Sequence, residues 1–598
     1  MSIVSLAKAT VVGHEQDKQQ VLAELQELGC LHLIPLTPEG EPAAEEGPSR
    51  EAREALQFLA SCPQRRRQVS DPSHFDPVEV ERQALDLQRR LHELCNERDF
   101  LAQRIEALAP WGEFEFPPLE DLAGQRLWFY AVPHHQMKDV AASGLRWEVV
   151  SRDPRFCYVS VVAEDEPELE AMPVPRTLAG ARSPRELVQR LEEVEVEIED
   201  VEAERISLTR WCTLFGRALD GLDDRAARAR ASAQTARARP VYALQAWVAR
   251  ERTQQLRAYA ARRGLVLELS DPDPGEQPPT LFRNPPALSG GEDLVRFYMT
   301  PGYWVWDPSS VVFFSFAIFF AMILADAGYA LLLGGGVLAY WKRLGRSDTG
   351  RRWRVLLGTL AGATLVYGVI VGSYFGVSPP RGSLPARLHV LDITDFSVMM
   401  ALSVGIGALH VAYACVRDAL RHPRWSERLA PFGWAAAVLG GFALWGGSQV
   451  GVDVLTRAGT GALCGGLALV VLFAGSGERP LKRIGLGIAA LTSVTGAFGD
   501  VLSYMRLFAL GLASASLALT FNDMAAQIRD AVPGLGLLLA LLVLLAGHAM
   551  NFVLSLSSGF IHGLRLNVIE FFKWGVKDEG TPYHPFERKE STSWTTSS

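Results

Sequence analysis

Arg506 stands inside a mostly apolar run from about Ile484 to Phe521. A guanidinium keeps its charge at any accessible pH, and placing it at a bilayer centre costs about 2.5–3.5 kcal/mol on insertion scales. A chain that retains such a residue must bring the charge to a polar cavity, an interface or a carboxylate. Asp500 is the one acid in the same run. Two readings follow: a working charge facing a polar cavity, or an arginine that snorkels or pairs with Asp500.

The last apolar run, Gly534 to Phe572, carries His548, Asn551, Ser555, Ser558, His562 and Arg565 at steps of 3, 4, 3, 4 and 3. Those steps define one helix face, with Leu, Val and Phe on the others. The preceding run offers Thr492, Thr495, Gly499, Ser503, Arg506 and Ser514 at near-helical spacing. Two adjacent helices with small or polar faces are expected to line an ion path.

These residues resemble the membrane-embedded stator subunit of V-type and A-type rotary ATPases, called subunit a or subunit I. The resemblance rests on Ser503-Tyr504-Met505-Arg506-Leu507 with Ala509-Leu510 behind it, and on His562-Gly563-Leu564-Arg565-Leu566 followed by Glu570-Phe571. The tail Gly580-Thr-Pro-Tyr-His-Pro-Phe586 adds to it. The resemblance implies that Arg506 faces a rotating ring of proteolipid (c) subunits and that Arg565 lies between two aqueous half-channels. It also implies peripheral stalk subunits and the other subunits of the rotary ATPase as partners, within the lipid bilayer of the cell (plasma) membrane. Some relatives place membrane carboxylates in the last two helices. Here Thr492 and Ser555 occupy candidate positions, and no acid lies between Asp530 and Glu570. Channel-lining candidates are therefore Asp500, Ser503, Ser514, His548, Asn551, Ser555, His562, Glu570, Asp326 and His410. The carried ion is H⁺ or Na⁺, because the family's ion site lies mainly on the ring, and it is taken here as a proton. A secondary transporter with a cytoplasmic regulatory domain is the alternative; it predicts internal repeats, and the two halves of the membrane region show no convincing similarity.

The 598-residue chain has 48% hydrophobic residues and a mean hydropathy of +0.09. The averages conceal two unlike halves: up to about Pro301 the sequence is charged, and beyond it apolar runs dominate. The net charge of −8 is dispersed, with arginines among as many carboxylates, and argues against nucleic acid as a partner. Seven scattered cysteines lack metal-ligand or disulfide spacing, and no GxxxxGK[ST] is present, so no metal, cofactor or P-loop nucleotide site is expected and the chain is not an enzyme by itself. The start of the sequence has no apolar signal-peptide core, so no cleaved signal is expected, and the N-terminal domain and C-terminus are placed in the cytoplasm.

In the charged half, strand–helix–strand patterns at residues 3–34, 125–162 and 241–269 predict small α+β, ferredoxin-like lobes. Between them, Val80, Ala84, Leu87, Leu91, Leu94, Leu101, Ile105 and Leu108 keep a 4-3 step, interrupted at Arg98. Leu187, Leu191, Val194, Ile198, Val201 and Leu208 do the same, broken at Arg205. These heptads predict an antiparallel coiled coil with arms at about 77–109 and 183–232, the second opened by a Ser183…Glu186 capping box. The expected organisation is a stalk-binding cytoplasmic domain over 1–290, a linker over 291–308, an all-α ion-translocating domain over 309–575, and a cytoplasmic tail over 576–598.

The 31-residue run Val311 to Trp341 is long for one span, and the cations Lys342, Arg343, Arg346, Arg351, Arg352 and Arg354 follow it. Basic loops stay cytoplasmic, so this run is predicted to be a hairpin turning near Asp326-Ala-Gly328. With spans at about 355–376, 396–418, 431–449, 456–475, 486–521 and 534–572, it makes about eight helices. Asp326 is read as a solvated turn residue or part of an outer vestibule, and His410 as bonded to a neighbouring helix or lining the path. Gly440, Gly441, Gly465 and Gly466 are expected to permit close helix packing.

Overall fold

The computed structural model describes residues 3–37, 47–114, 124–168, 171–177, 183–380, 382–476 and 478–589. The chain opens with β1 (Leu6–His14), α1 (Lys18–Leu28) and β2 (Leu31–Ile34), then α2 (Arg50–Ala60) and α3 (Pro77–Leu108). A lobe of β3 (Arg126–Pro133), α4 (Met137–Ala142), β4 (Arg146–Arg152) and β5 (Phe156–Ala163) follows. The chain returns through α5 (Pro184–Leu208) and α6 (Cys212–Ala233) to β6 (Ala236–Ala238), β7 (Val241–Ala249), α7 (Thr253–Arg263) and β8 (Val266–Ser270). Residues 1–38 and 234–587 belong to one compact unit, residues 39–233 and 588–598 to another.

In the second unit, α3 and α5 pack side by side. Arg190 Nε reaches Glu97 Oε1 at 2.9 Å and Arg90 Nη1 reaches Glu204 Oε2 at 3.5 Å, so the residue numbers run in opposite senses and the pair is antiparallel. The heptad positions Leu101, Leu108, Leu187 and Val194 are buried and share a core with Trp111 and Phe129 of the adjoining lobe. Ser183 Oγ accepts from Glu186 N at 3.3 Å while Ser183 N donates to Glu186 Oε2 at 2.8 Å, satisfying two helix-start donors. The second arm is not continuous over 183–232. A 3₁₀ turn at Thr209–Trp211 divides it, and α6 packs with α2 around Phe215, Leu59 and Ala84. The lobe sheet has three strands in the order β3-β5-β4.

The first unit begins with a sheet in the order β2-β7-β1-β8, with β6 pairing the start of β7 on the edge it shares with β2; all pairs are antiparallel. Segments 3–34 and 241–269, read from the sequence as separate lobes, are therefore one sheet: Leu6 pairs with Ala249 and His14 with Val241. The chain's far end joins it. Gly580 N donates to Thr300 O at 2.7 Å, Thr280 N to Thr581 O at 2.8 Å and Phe586 N to Leu31 O at 2.6 Å, while Tyr583 Oη donates to Cys30 O at 2.7 Å. The Gly580–Phe586 motif thus ties the N-terminal sheet to the segment that enters the helices.

The helical part starts with α8 (Ser289–Tyr298), α9 (Ser309–Leu324) and α10 (Ala327–Ala339). It continues with α11 (Asp348–Val371), α12 (Phe396–Arg421), α13 (Trp425–Val450), α14 (Asp453–Phe473), α15 (Pro480–Ala490), α16 (Ser493–Leu502), α17 (Met505–Ala531) and α18 (Gly536–Arg565). Six helical stretches among the described residues are long and apolar enough to cross a membrane, the last two being Lys482–Ala531 and Gly536–Gly575; α9 and α10 are shorter apolar helices. The chain is a multi-pass membrane protein with an α+β soluble part. Buried nearly all round, α9 contributes Phe313, Phe316, Phe319 and Phe320 to the core.

The turn between α9 and α10 is where the sequence placed it, but Asp326 is not a solvated turn residue. It is 4% exposed. Its carboxylate caps α10 through Tyr329 N at 3.0 Å and accepts from Ser373 Oγ at 2.6 Å, Phe375 N at 3.0 Å and Gly376 N at 3.0 Å, which satisfies a buried charge with four donors. Helices α13 and α14 are joined by glycines. A Cβ on Gly440 would stand 2.5 Å from Leu463 N, one on Gly459 2.4 Å from Leu444 N, and one on Gly466 2.5 Å from Gly433 O. At Gly441 and Gly465 a Cβ would meet nothing within 4 Å, so these two, expected in the seam, lie outside it.

Candidate functional site

The run 486–521, read as one span, is three helices. Tight i→i−3 turns at Leu491–Thr492 and Ser503–Tyr504 separate α15, α16 and α17, with Arg506 N donating to Ser503 O at 3.3 Å and Leu507 N to Tyr504 O at 3.0 Å. Hydroxyls assist the bends: Thr492 Oγ1 donates to Ala489 O at 2.7 Å and Ser503 Oγ to Gly499 O at 3.0 Å, competing with the helix ladder. Arg506 therefore sits in the first turn of α17, and its Nε donates to Ser503 O at 3.1 Å.

Its charge is met by Glu570. Arg506 Nη2 lies 2.7 Å from Glu570 Oε1, and Arg565 Nε lies 3.9 Å from the same oxygen. The carboxylate side chain is 3% exposed, against 24% for Arg506 and 51% for Arg565. A π-helical turn, Leu566–Phe571, follows α18 directly. Its i→i+5 period sets residue 570 on the side of residue 565, and such turns are common at functional sites. Glu570 Oε2 and His562 Nδ1 are buried without a hydrogen-bond partner among the described residues. Asp500, offered by the sequence as a partner for Arg506, is engaged elsewhere: its Oδ2 accepts from Lys573 Nζ at 2.7 Å and Trp574 Nε1 at 2.8 Å.

About two helical turns from this cluster, a column of hydrogen-bonded polar side chains begins between α17 and α18. Ser514 Oγ and Ser555 Oγ are 2.7 Å apart, Ser555 Oγ donates to Asn551 Oδ1 at 3.3 Å, and Asn551 Nδ2 donates to Ser514 O at 2.9 Å and Tyr329 Oη at 3.0 Å. Tyr329 Oη then bonds His548 Nδ1 at 2.8 Å, and His548 Nε2 bonds Asn522 Oδ1 at 3.0 Å. Asn522 Nδ2 donates to Phe375 O at 2.8 Å. One assignment satisfies every member: Tyr329 donates to His548 Nδ1, and His548 carries its proton on Nε2. From Ser514 to Asn522 the column spans about 12 Å at 1.5 Å per residue.

The stripe on α18 is thus one face, with Asn551 and Ser555 buried, His548, Ser558 and His562 half-buried, and Arg565 exposed. His410 is set apart from it: its Nδ1 is 2.7 Å from Tyr504 Oη and its ring stacks on Phe571 at 4.2 Å and 6°. Tyr329 and Asn522 are polar members that the stripes of the last two runs do not include, because Tyr329 arrives from α10 and Asn522 lies one residue past the end of the run at Phe521. Among the described residues no group of three His, Cys, Asp or Glu side chains is placed to hold a metal ion.

No protein-family profile matches the chain. Over 590 residues it is 26% identical to the V-type ATP synthase subunit I of Chlamydia pneumoniae, across 85% of each chain. It is 28% identical over 445 residues to the A-type ATP synthase subunit I of Methanocaldococcus jannaschii, covering 66% of this chain and 63% of that one, just under two thirds of its length. A crystal structure of the cytoplasmic N-terminal domain of subunit I, homolog of subunit a, of V-ATPase aligns to 44% of this chain and 99% of its own at 18% identity; its TM-score of 0.24 carries no argument. Over most of its length, the chain is thus similar to the subunits I of V-type and A-type ATP synthases.

Proposed function

We propose that the chain is the ion-translocating stator subunit of a rotary ATPase, with Arg506 acting on a carboxylate of a rotating proteolipid ring. The observation that carries it is the position of Arg506, Arg565 and Glu570 about two helical turns beyond one end of the polar column between α17 and α18. A ring carboxylate in lipid is held neutral by desolvation. A guanidinium about 4 Å away at an effective dielectric near 20 favours its ionised form by about 4 kcal/mol, enough to release the proton where water reaches the site. The fixed positive charge also keeps a proton from passing directly between two half-channels, and each charge crossing about 100 mV delivers about 2.3 kcal/mol for rotation. Glu570 holds Arg506 in place until the ring carboxylate competes for it.

The reading assigns residues 309–575 to translocation and residues 1–290, joined by 291–308, to the peripheral stalk. The antiparallel α3–α5 pair is the docking rod, and the βαββαβ order of the first sheet supports a ferredoxin-like lobe. Eight spans, counting α9 and α10 as two, leave the N-terminal domain and the 576–598 tail in the cytoplasm. The ion is taken as H⁺.

The test is ATP-driven acidification of vesicles containing the assembled complex. Arg506→Ala is expected to abolish pumping with assembly intact. Arg506→Lys is expected to lose most of it, because an ammonium lacks the planar fork and can shed its proton. Arg565→Ala, at a half-exposed position, should cost less. Near-normal pumping by Arg506→Ala refutes the reading, and solute uptake by the isolated chain favours a secondary transporter.

A further inference from the structure

Two cavities of the helical part meet at Trp434 and Thr495, which line both. The first, about 660 Å³, lies where the ends of α12 and α14 and the start of α13 come together. It is polar, with Asp418, His422, Glu427, Lys573 and Lys577 in its wall. The second, about 640 Å³, is apolar and follows α13 past Val438, Gly441 and Phe442 to Trp445, with α14 and α16 opposite. Each volume falls in the range of about 300–1,000 Å³ typical of ligand sites. From Trp434 to Trp445 the apolar groove covers about 16 Å at 1.5 Å per residue, roughly half of the ~30 Å hydrocarbon core. That is the depth of one leaflet's acyl chains.

The polar end has a specific chemistry. The Asp418 side chain is 2% exposed; its Oδ2 accepts from Lys577 Nζ at 2.6 Å, and its Oδ1 has no hydrogen-bond partner among the described residues. A buried carboxylate oxygen calls for a donor, which a primary ammonium supplies and a quaternary one cannot. Lys573 and Lys577 are each about half exposed. Their ammonium groups, bound to Asp500 and Asp418, retain further N–H donors for a phosphate. The wall thus presents carboxylates, Asp418 and Glu427, and ammonium groups, Lys573 and Lys577, to the same cavity, so it offers both signs to a zwitterion.

We propose that this continuous cleft binds one membrane phosphoglyceride with a primary-amine headgroup, its amine at Asp418, its phosphate at Lys573 and Lys577, and one acyl chain along the groove past Gly441. The site is separate from the Arg506–Glu570 cluster and does not depend on the ion-translocation reading. The bound lipid fills the gap between the α13–α14 hairpin and α16, the helix that leads into Arg506.

The test is native mass spectrometry of the full-length chain, delipidated and then offered phosphatidylethanolamine, phosphatidylcholine or phosphatidylglycerol with identical acyl chains. The expected result is one retained phosphatidylethanolamine at about tenfold lower concentration than the other two. Gly441→Trp, which places an indole in the groove at a position open to a Cβ, should abolish retention, while Gly465→Trp, equally open and outside the groove, should leave it unchanged. Asp418→Asn should erase the preference for ethanolamine over choline. Equal retention of all three lipids by the unmodified chain overturns the headgroup assignment without reference to any variant. Unchanged retention by Gly441→Trp, or cross-linking that seats a proteolipid helix in the groove of the assembled complex, overturns the site.

Discussion

Two neighbouring helix pairs show opposite ways of joining helices in a membrane. Helices α13 and α14 meet through backbone: Gly433 faces Gly466, Gly440 faces Gly459 and Gly447 faces Thr456 at distances that leave no room for a Cβ. Helices α17 and α18 meet through side chains that hydrogen-bond across the gap, Ser514 with Ser555 and with Asn551. Lipid tails provide no hydrophobic force between helices, so both solutions serve association. Only the second leaves a row of exchangeable donors and acceptors that leads toward charges. The difference teaches that the glycine pair is scaffold and the polar pair is where chemistry can occur.

The largest expected effect on stability is at the seam. Gly440→Leu drives a side chain into Leu463 N and the Ala462 backbone, and should destabilise by about 3 kcal/mol or more, as overpacking does where backbone must move. Thermal unfolding in detergent measures it; a near-normal midpoint would show that the hairpin can separate and would weaken the contrast. Asn551→Leu should cost less, about 1–2 kcal/mol, because interhelical polar contacts in membranes are individually modest. Its larger consequence should be on pumping, because it cuts the column between Ser514 and Tyr329. A variant that loses stability but keeps full pumping would make the column structural. The smallest effect is a gain: Gly465→Ala, on the same hairpin but with nothing near its Cβ, should stabilise by about 0.5–1 kcal/mol through helix propensity.

Much of this was legible in the sequence where a short period carried it. The α3–α5 heptads and the α18 stripe appear as read, because each is a local repeat on one helix. The glycine seam was half legible. Gly433, Gly440 and Gly447 recur every seven residues and Gly459 and Gly466 do likewise, a period that separates them from Gly441 and Gly465, whereas adjacency alone does not. What the sequence could not show depended on distance or on a change of period. The β1–β7 pairing joins residues more than two hundred positions apart. Glu570 reaches Arg506 only because the π-helical turn shifts the phase after Arg565, and Asp500, nearer in sequence, is taken by Lys573 and Trp574. Asp326 looked like a solvated turn residue because its four donors come partly from residues 373–376.

The central claim, that ions move along the polar face between α17 and α18 toward Arg506, is tested most directly by silver-ion inhibition of ATP-driven acidification. The assembled complex would carry single cysteines on a cysteine-free background. Silver needs water to arrive and a thiolate to hold it. Ser514→Cys, Ser555→Cys and His562→Cys are predicted to pump until silver is added and then to stop. Ala462→Cys, in the glycine seam, is predicted to be indifferent. Silver block at Ala462→Cys with none at the three column positions would contradict the account.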